Sequence, residues 1–254
     1  MNLVGTTFVY AGLLVSFLGA LSMVRPLKFL GIASRSCGIV LFLCGITCFF
    51  IGVCVPASEK RVAEQTTGLD DFVPVYQFGE FHSIRVHAPR ERVYRAIHDV
   101  SADEITFFQA LTWIRRFGQR EPEGILNAPQ KIPLLDVATR TSFLLLAEEK
   151  DREIVLGTLA VAPAAWRLNK NKKPTPEDFK ALQAPGFALA AMNFRIEDPG
   201  TGGLLVTTET RVFATDAPTK KKFAAYWRVI YPGSALIRVM WLRAIRWHAE
   251  RMPG

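Results

Sequence analysis

The first part of the chain lacks carboxylates, and the second part lacks cysteines. Residues 1–58 contain no Asp or Glu, and their only charged side chains are Arg25, Lys28 and Arg35. Residues 59–254 contain no cysteine but hold 28 of the 31 Lys and Arg and all 23 Asp and Glu. A segment so poor in charge is not typical of the surface of a soluble domain, whereas the remainder has an ordinary soluble composition. The composition therefore divides the chain near residue 58.

Sequence motifs for common enzymes and cofactors are also missing. The chain has no P-loop, no nucleophile elbow and no dinucleotide-binding fingerprint. Its four histidines do not form a metal-ligand spacing with a second histidine, a cysteine or a carboxylate; they are His82, His87, His98 and His248. We therefore expect no cofactor and no metal site.

Two long uncharged runs occupy the first 58 residues. One extends from Leu3 to Val24 and the other from Ser36 to Ser58, and each is 20 residues or longer, about the length that a helix needs to span a bilayer. A cleaved signal peptide would require a basic residue before the first run, and MNLVGTT has none. We predict a hairpin of two transmembrane helices over residues 1–58.

Glycines recur every seventh residue in both runs, at Gly5, Gly12 and Gly19 and at Gly38, Gly45 and Gly52. Each series places its glycines in one stripe along a helix, and small residues allow helices to approach closely in lipid. Antiparallel pairing would set Gly5 against Gly52, Gly12 against Gly45 and Gly19 against Gly38. The alternative is that glycine is simply common in membrane helices. We predict that the two stripes face each other.

The distribution of basic residues indicates a membrane orientation. Three Lys or Arg lie between the two runs, and two, Lys60 and Arg61, lie within 20 residues after the second run. The positive-inside rule then puts the connecting loop in the cytoplasm. We expect an integral protein of the bacterial inner membrane with its soluble domain outside the cytoplasm.

The soluble part begins with a polar stretch. Residues 59–77 lack periodicity and are predicted to be a linker, so the folded domain is predicted to span residues 78–254. Alternation of Ile84 and Val86 with polar residues predicts a half-buried strand that Pro89 ends, and a helix follows directly.

Further elements are predicted in sequence order. Ser101 and Glu104 have the spacing of a capping box, which predicts a second helix that ends at Gly118. Two strand hairpins turn at Lys150-Asp151 and at DPGTGG, and a short helix starts at Thr175-Pro176. A long C-terminal helix is predicted from about Pro218 to Arg251, interrupted at Pro232-Gly233.

These elements predict an α+β fold in which an antiparallel curved sheet surrounds the long C-terminal helix. The run IRVHAPRERVYRAIHDV resembles the opening of the START/Bet v 1-like (SRPBCC, helix-grip) superfamily, where a strand ending in Ala-Pro leads into a helix. The stretches NFRIE, TETRVFATD and FAAYWRVIYPGSALIRVMWLRAI are similar to a bacterial branch of it. The resemblance covers about residues 78–252 and implies a cavity between the sheet and the C-terminal helix.

Candidate ligand-binding residues lie on one predicted sheet face. Folding the second hairpin about DPGTGG sets Phe194 opposite Thr207 and Met192 opposite Glu209. Glu209 and Arg211 would then share the face of Phe194 and Met192 and would meet a ligand head group inside the cavity. The alternative is that this face is solvated and that the two charges form an ordinary surface pair.

Two more residues complete the candidate set. His82 shares the parity of Ile84 and Val86 and is expected to point inward, either as a structural histidine or as a general base. Trp227 is expected to form a wall of the cavity. It lies in a basic amphipathic helix: residues 218–254 contain eight Lys and Arg and one carboxylate.

The resemblance implies a membrane-anchored domain that binds or transfers a lipid or another hydrophobic small molecule. One alternative is a cyclase- or hydrolase-like enzyme with His82 or Glu209 as general acid–base. The other is a ligand-free module whose basic helix docks on the membrane or on a protein. Nucleic acid is not an expected partner, because no base-stacking or groove-reading motif is present.

Overall fold

The computed structural model describes residues 3–116, 118–119, 123–168, 174–200 and 202–251. It divides into two compact units. The two-helix unit comprises Met1–Ser58 with Lys221–Val229, and the sheet unit comprises Glu59–Lys220 with Ile230–Gly254.

The two-helix unit is built from α1 (Leu3–Val24) and α2 (Arg35–Cys54). Both helices are long and apolar enough to cross a membrane. Ser34 caps α2, because its hydroxyl accepts a hydrogen bond from the backbone N–H of Cys37 at 3.2 Å. Large apolar side chains such as Leu14, Phe17 and Val40 point outward and are more than half exposed, as expected for surfaces that face lipid.

The two glycine stripes face each other, so the predicted pairing is confirmed. All six glycines are buried at the contact between α1 and α2. A Cβ atom added at Gly52 would lie 2.8 Å from the carbonyl oxygen of Gly5, and one added at Gly19 would lie 2.8 Å from that of Gly38. The backbones therefore approach too closely for any larger residue at these positions.

The sheet unit contains the following helices and strands in chain order, the last of them shared with the two-helix unit: β1 (Lys60–Arg61), α3 (Gly68–Phe72), β2 (Val75–Tyr76), β3 (Phe78–Val86), α4 (Arg90–Asp99), α5 (Phe108–Arg115), α6 (Leu134–Thr141), β4 (Leu144–Glu149), β5 (Glu153–Val161), α7 (Ala164–Leu168), α8 (Pro176–Ala181), β6 (Ala188–Glu197), β7 (Leu204–Ala214) and α9 (Ala217–Arg251). Strands β3 to β7 form one antiparallel sheet in the order β3-β7-β6-β5-β4. The predicted α+β class, with an antiparallel sheet, a long C-terminal helix and two preceding apolar helices, is confirmed.

The sheet has two buried faces. The face that packs against the C-terminal part of α9, here called the inner face, carries Met192, Phe194 and Val206 and contacts Trp241 and Ile245. The opposite, outer face carries Val155, Leu189 and Ala191 and is covered by Leu69 of α3 and Phe179 of α8. Each fully buried side chain of this size contributes about 1.5–3 kcal/mol to folding.

The segment predicted as a linker, residues 59–77, contains β1, α3 and β2. Its helix α3 is fastened to the sheet through Asp70, which is fully buried and pairs with Arg211. Asp70 also closes the capping box of α3. Its carboxylate accepts hydrogen bonds from the backbone N–H groups of Thr66 and Thr67, at 2.8 and 2.7 Å.

The helix predicted to begin at Ser101 begins only at Phe108, so this prediction is wrong. The Ser101–Glu104 pair does form, with 2.9 Å from the Ser101 N–H to the Glu104 carboxylate, but it closes a turn. Phe107 has a left-handed backbone with φ 63°, which prevents the turn from continuing into the helix. The helix α6 was not predicted, and it precedes β4, the first strand of the hairpin that turns at Lys150-Asp151.

The predicted interruption of the C-terminal helix at Pro232-Gly233 is also wrong. Helix α9 is continuous although Pro232 lies inside it. A proline inside a helix removes one backbone hydrogen bond and costs about 3 kcal/mol. Apolar residues that are buried on both sides of it, among them Phe223 before and Trp241 after, offset that cost.

Candidate functional site

Strand β3 directs a carboxylate and an imidazole onto the inner face. Glu80 and His82 share the parity of Ile84, which packs in the inner core. Across the ladder, Glu80 pairs with Thr210 and His82 with Thr208 of the central strand β7. Both groups therefore lie on the sheet surface that α9 covers, and His82 lies on the face that its parity predicts.

A polar cluster forms where β3 meets α9. The Nε2 atom of His82 lies 2.7 Å from Oε1 of Glu80, and the Ser234 hydroxyl donates to Oε2 of Glu80 at 3.1 Å. The Glu80 side chain is 1% exposed and that of His82 is 19% exposed. A carboxylate this deeply buried requires hydrogen-bond partners, and here both of its oxygens have one. We call Glu80, His82, Ser234 and the neighbouring Arg238 the inner polar cluster.

Arg238 occupies the inner polar cluster with unusual partners. Its Nη1 atom donates to the sulfur of Met192 at 3.0 Å, and its guanidinium carbon lies 5.6 Å from the centroid of the Trp241 ring. A thioether sulfur is a weak acceptor, whereas a guanidinium has five N–H donors. Burial lowers the pKa of Arg238; Glu80 opposes this shift and Arg115 adds to it.

The pKa of Tyr231 is also shifted by burial and by Glu80. Burial, and then the charge of Glu80, raises the pKa of its phenol. The hydroxyl is therefore protonated at neutral pH.

Beyond the cluster, the inner face is filled by the protein's own side chains. The rings of Phe194 and Trp241 lie 4.9 Å apart between centroids, and Met192 and Phe194 are each 1% exposed. The end of the inner face near Trp241 is therefore closed core, and the inner polar cluster marks the end that reaches solvent through His82.

The predicted register between β6 and β7 is wrong by one residue. Met192 pairs with Thr210 and Arg195 with Thr207, instead of Met192 with Glu209. Successive side chains of a strand point to opposite faces of the sheet. A register shift of one residue therefore moves every side chain of β7 to the face opposite the predicted one. Glu209 and Arg211 consequently lie on the outer face, away from Met192 and Phe194.

On the outer face, Arg211 forms a buried ion-pair network. It donates to Asp70 Oδ1 at 2.5 Å and to both oxygens of Glu209, at 2.7 and 2.9 Å, and its guanidinium lies 5.0 Å from the ring centroid of Tyr76. Burial opposes the charge of Arg211, but the two carboxylates raise its pKa above the usual value. Neither predicted alternative describes this pair: it is neither in the inner face nor on a solvated surface, but holds α3 on the sheet.

Trp227 is buried, 6% exposed, and stacks on Phe223 with ring centroids 5.8 Å apart. It belongs to the part of α9 that groups with α1 and α2. Its predicted role as a cavity wall stays a prediction. Of the six predicted site residues, the structure groups Met192, Phe194 and His82 on the inner face and places Glu209 and Arg211 on the outer face.

Sequence reasoning missed Glu80, Ser234 and Arg238. The signal for Glu80 was present, since it precedes His82 by two residues and so shares its side of the strand. Ser234 follows the Pro-Gly pair that suggested a helix break, and a continuous helix was needed to relate it to Arg238 one turn later.

A recess lies on the outer face. It is an open cleft of about 390 Å³ whose lining includes Asp71, Phe72, Lys180 and Phe213. Its charges are of both signs and lie near the surface. Among the residues that the structure describes, no group of three or more His, Cys, Asp and Glu side chains is arranged to hold a metal ion.

Comparisons with known proteins add little to this geometry. No protein-family model matches the sequence, and neither does any curated protein. A search of solved structures finds similarity to the di-domain ARO/CYC BexL from the BE-7585A biosynthetic pathway, at 14% identity and a TM-score of 0.30. The match covers 85% of this chain and spans 59% of the length of that one. At this similarity the match carries no functional argument.

Proposed function

We propose that this chain is a membrane-anchored binding domain. Helices α1 and α2 anchor it in a bacterial inner membrane, with the sheet unit outside the cytoplasm. The sheet unit binds or transfers a lipid or another hydrophobic small molecule between the inner face and α9, with the polar group of the ligand at the inner polar cluster.

The observation that carries this proposal is the deep burial of Glu80 within an apolar core. Burying a charge costs several kcal/mol unless it is paired, and apolar packing would be the simpler way to attach α9 to β3. A polar group kept at this position, beside a partly exposed His82, is the arrangement of a ligand site in which few polar groups orient an apolar molecule. The apolar residues Ile84 and Met240, partly buried against the same core, supply contacts for its hydrocarbon part.

The pair of Glu80 and His82 also favours a second candidate, the cyclase- or hydrolase-like enzyme. A carboxylate 2.7 Å from an imidazole nitrogen fixes the orientation of the ring, as it does for histidines that act in general acid–base catalysis. In such an enzyme, His82 would be the general acid–base and Glu80 would be the residue that positions it. Glu209 is not a candidate for that role, since it lies on the outer face in the Arg211 network.

Native mass spectrometry of the detergent-purified full-length protein tests the binding proposal. We expect a stoichiometric hydrophobic ligand that is reduced in Glu80→Gln, which removes the charge with little change in shape. Glu91→Gln, an exposed position on α4, serves as the matched control and should retain the ligand. No bound mass above the detergent background would contradict the proposal and favour the ligand-free module.

A further inference from the structure

The Lys221–Val229 segment of α9 packs on the end of the two-helix unit where α1 begins and α2 ends. Arg228 is buried and donates hydrogen bonds to the backbone carbonyl oxygens of Val53, at 2.6 Å, and of Val55. These carbonyls lie at the C-terminal end of α2, where a helix leaves them without partners of its own and where a cation is favourable. A Cβ atom added at Gly5, near the start of α1, would lie 2.7 Å from the Arg228 Nε atom. Contacts with both helices therefore hold the segment at this end of the hairpin.

This end of the hairpin is expected to coincide with one surface of the bilayer. Helices α1 and α2 have 22 and 20 residues, and at 1.5 Å per residue both match a hydrocarbon core of about 30 Å. The hydroxyl of Tyr10, two turns into α1, donates to the backbone carbonyl oxygen of Val229 at 2.5 Å. The segment therefore lies beside the first turns of a proposed membrane span, at the level of the interface.

The exposed face of the segment changes from charged to apolar along the helix. Lys222, Tyr226 and Val229 are four and three residues apart and so lie on one face of α9. Lys222 is exposed, and Tyr226 and Val229 are 41% and 42% exposed. Lysine, tyrosine and an aliphatic side chain suit successively deeper levels of a bilayer interface. Val229, the apolar end of this face, is the residue that is bonded to Tyr10 within the span.

The two-helix unit has no acidic side chain that could balance the lysines of this segment. Residues 1–58 and residues 221–229 each contain three Lys or Arg, and neither part contains Asp or Glu. Helix α9 itself has no Asp or Glu before Glu250. The carbonyl groups of α2 face Arg228, but Lys221 and Lys222 are exposed. Exposed lysines at a bilayer surface attract anionic lipid head groups.

We propose that Lys221–Val229 is an interfacial segment that binds anionic phospholipids, with Lys221 and Lys222 on the phosphate groups and with Tyr226 and Val229 against the acyl chains. This inference rests on the anchoring part of the proposed function and adds a third contact with the membrane. It concerns the lipids that surround the hairpin, which are distinct from the ligand proposed for the inner polar cluster.

Photoreactive lipids that differ only in the head group test the proposal. Full-length protein is placed in phosphatidylcholine nanodiscs that contain a small fraction of phosphatidylglycerol or of phosphatidylcholine with the same diazirine acyl chain. Crosslinks are mapped by peptide mass spectrometry. We expect both probes to label α1 and α2. The phosphatidylglycerol probe should label residues 221–229 at least about fivefold more than the phosphatidylcholine probe, the effect of one lysine near an anionic surface.

Two double variants of α9 separate this segment from the net charge of the protein. Lys221→Gln with Lys222→Gln should reduce phosphatidylglycerol labelling of residues 221–229 to the phosphatidylcholine level and leave the labelling of α1 and α2 unchanged. Arg243→Gln with Arg246→Gln removes two exposed charges from the same helix and should behave as the wild type. Lys221→Arg with Lys222→Arg should retain the preference. A thermal melt of each variant excludes misfolding as the cause.

The other outcomes separate this inference from the proposed function. Labelling of α1 and α2 without labelling of residues 221–229 would overturn the interfacial segment and leave the anchored binding domain intact. Equal labelling of residues 221–229 by the two probes would overturn the preference for anionic lipid, and so would equal losses in the lysine and arginine double variants. No labelling of α1 and α2 by either probe would overturn the membrane anchor and this inference with it.

Discussion

Gly12 and Gly45 face each other so closely that neither position has room for a methyl group. A Cβ atom added at Gly12 would lie 2.7 Å from the carbonyl oxygen of Gly45, and one added at Gly45 would lie 2.7 Å from that of Gly12. Both contacts are with backbone atoms, which cannot move aside without separating the helices. The glycine stripes therefore set the distance between α1 and α2, and packing at that distance holds the hairpin together.

Enlarging one of these glycines should open the hairpin. We expect Gly12→Val or Gly45→Val to destabilise the two-helix unit by about 1–3 kcal/mol, the usual cost of overpacking. The change is measurable as a shift in mobility on SDS gels and as a lower temperature of unfolding in detergent. Ala11→Val, which places the same valine side chain on the exposed side of α1, is the control. Equal behaviour of Gly12→Val and Ala11→Val would contradict close packing.

The Arg211–Asp70 pair should be structural and not functional. Their side chains are 7% and 1% exposed, so Arg211→Ala leaves a buried carboxylate without its partner and should cost about 3–5 kcal/mol. We expect lower stability of the sheet unit in urea, with ligand binding retained in the folded fraction. Arg152→Ala, which breaks the exposed pair with Glu149, should change stability little. Loss of ligand without loss of stability in Arg211→Ala would restore its predicted ligand role.

Acid should weaken the fold in part through Glu104. Although burial opposes it, hydrogen bonds from Ser101 and His248 lower the pKa of Glu104 below its usual 4.5. A carboxylate whose folded-state pKa is depressed stabilises the protein above its unfolded-state pKa, and this stabilisation is lost as pH falls through the folded-state value. We expect the free energy of unfolding to fall below about pH 4.5 and to fall less steeply in Glu104→Gln. Parallel curves for the two proteins would rule out this contribution.

Much of the fold could be predicted from local patterns. The glycine pairing followed from two series with the same period, and the strand hairpins and the Thr175-Pro176 helix start followed from turn and cap residues. The register of β6 and β7 could not be predicted, because the glycine-rich loop between them reaches left-handed conformations at Gly200, Gly202 and Gly203 and pairs Glu197 with Leu205.

The candidate site was less predictable than the fold, for a physical reason. Both faces of β7 carry apolar residues, and a polar residue on either face can be buried if another segment covers it. Asp70, in a stretch with no periodicity, supplies the partner that buries Arg211, and Ser234 supplies the partner that buries Glu80. Each pairing joins residues more than 100 positions apart, and no local pattern encodes it.

The central claim is that a hydrophobic molecule binds between β3 and α9 with its polar group at the inner polar cluster. A long-chain alcohol with a diazirine near its hydroxyl group, crosslinked to the full-length protein and mapped by peptide mass spectrometry, tests it most directly. The account predicts crosslinks in residues 78–86 and 231–243 that excess hexadecanol and Glu80→Gln both suppress. Crosslinks confined to α1 and α2, at the same level in Glu80→Gln, would contradict it.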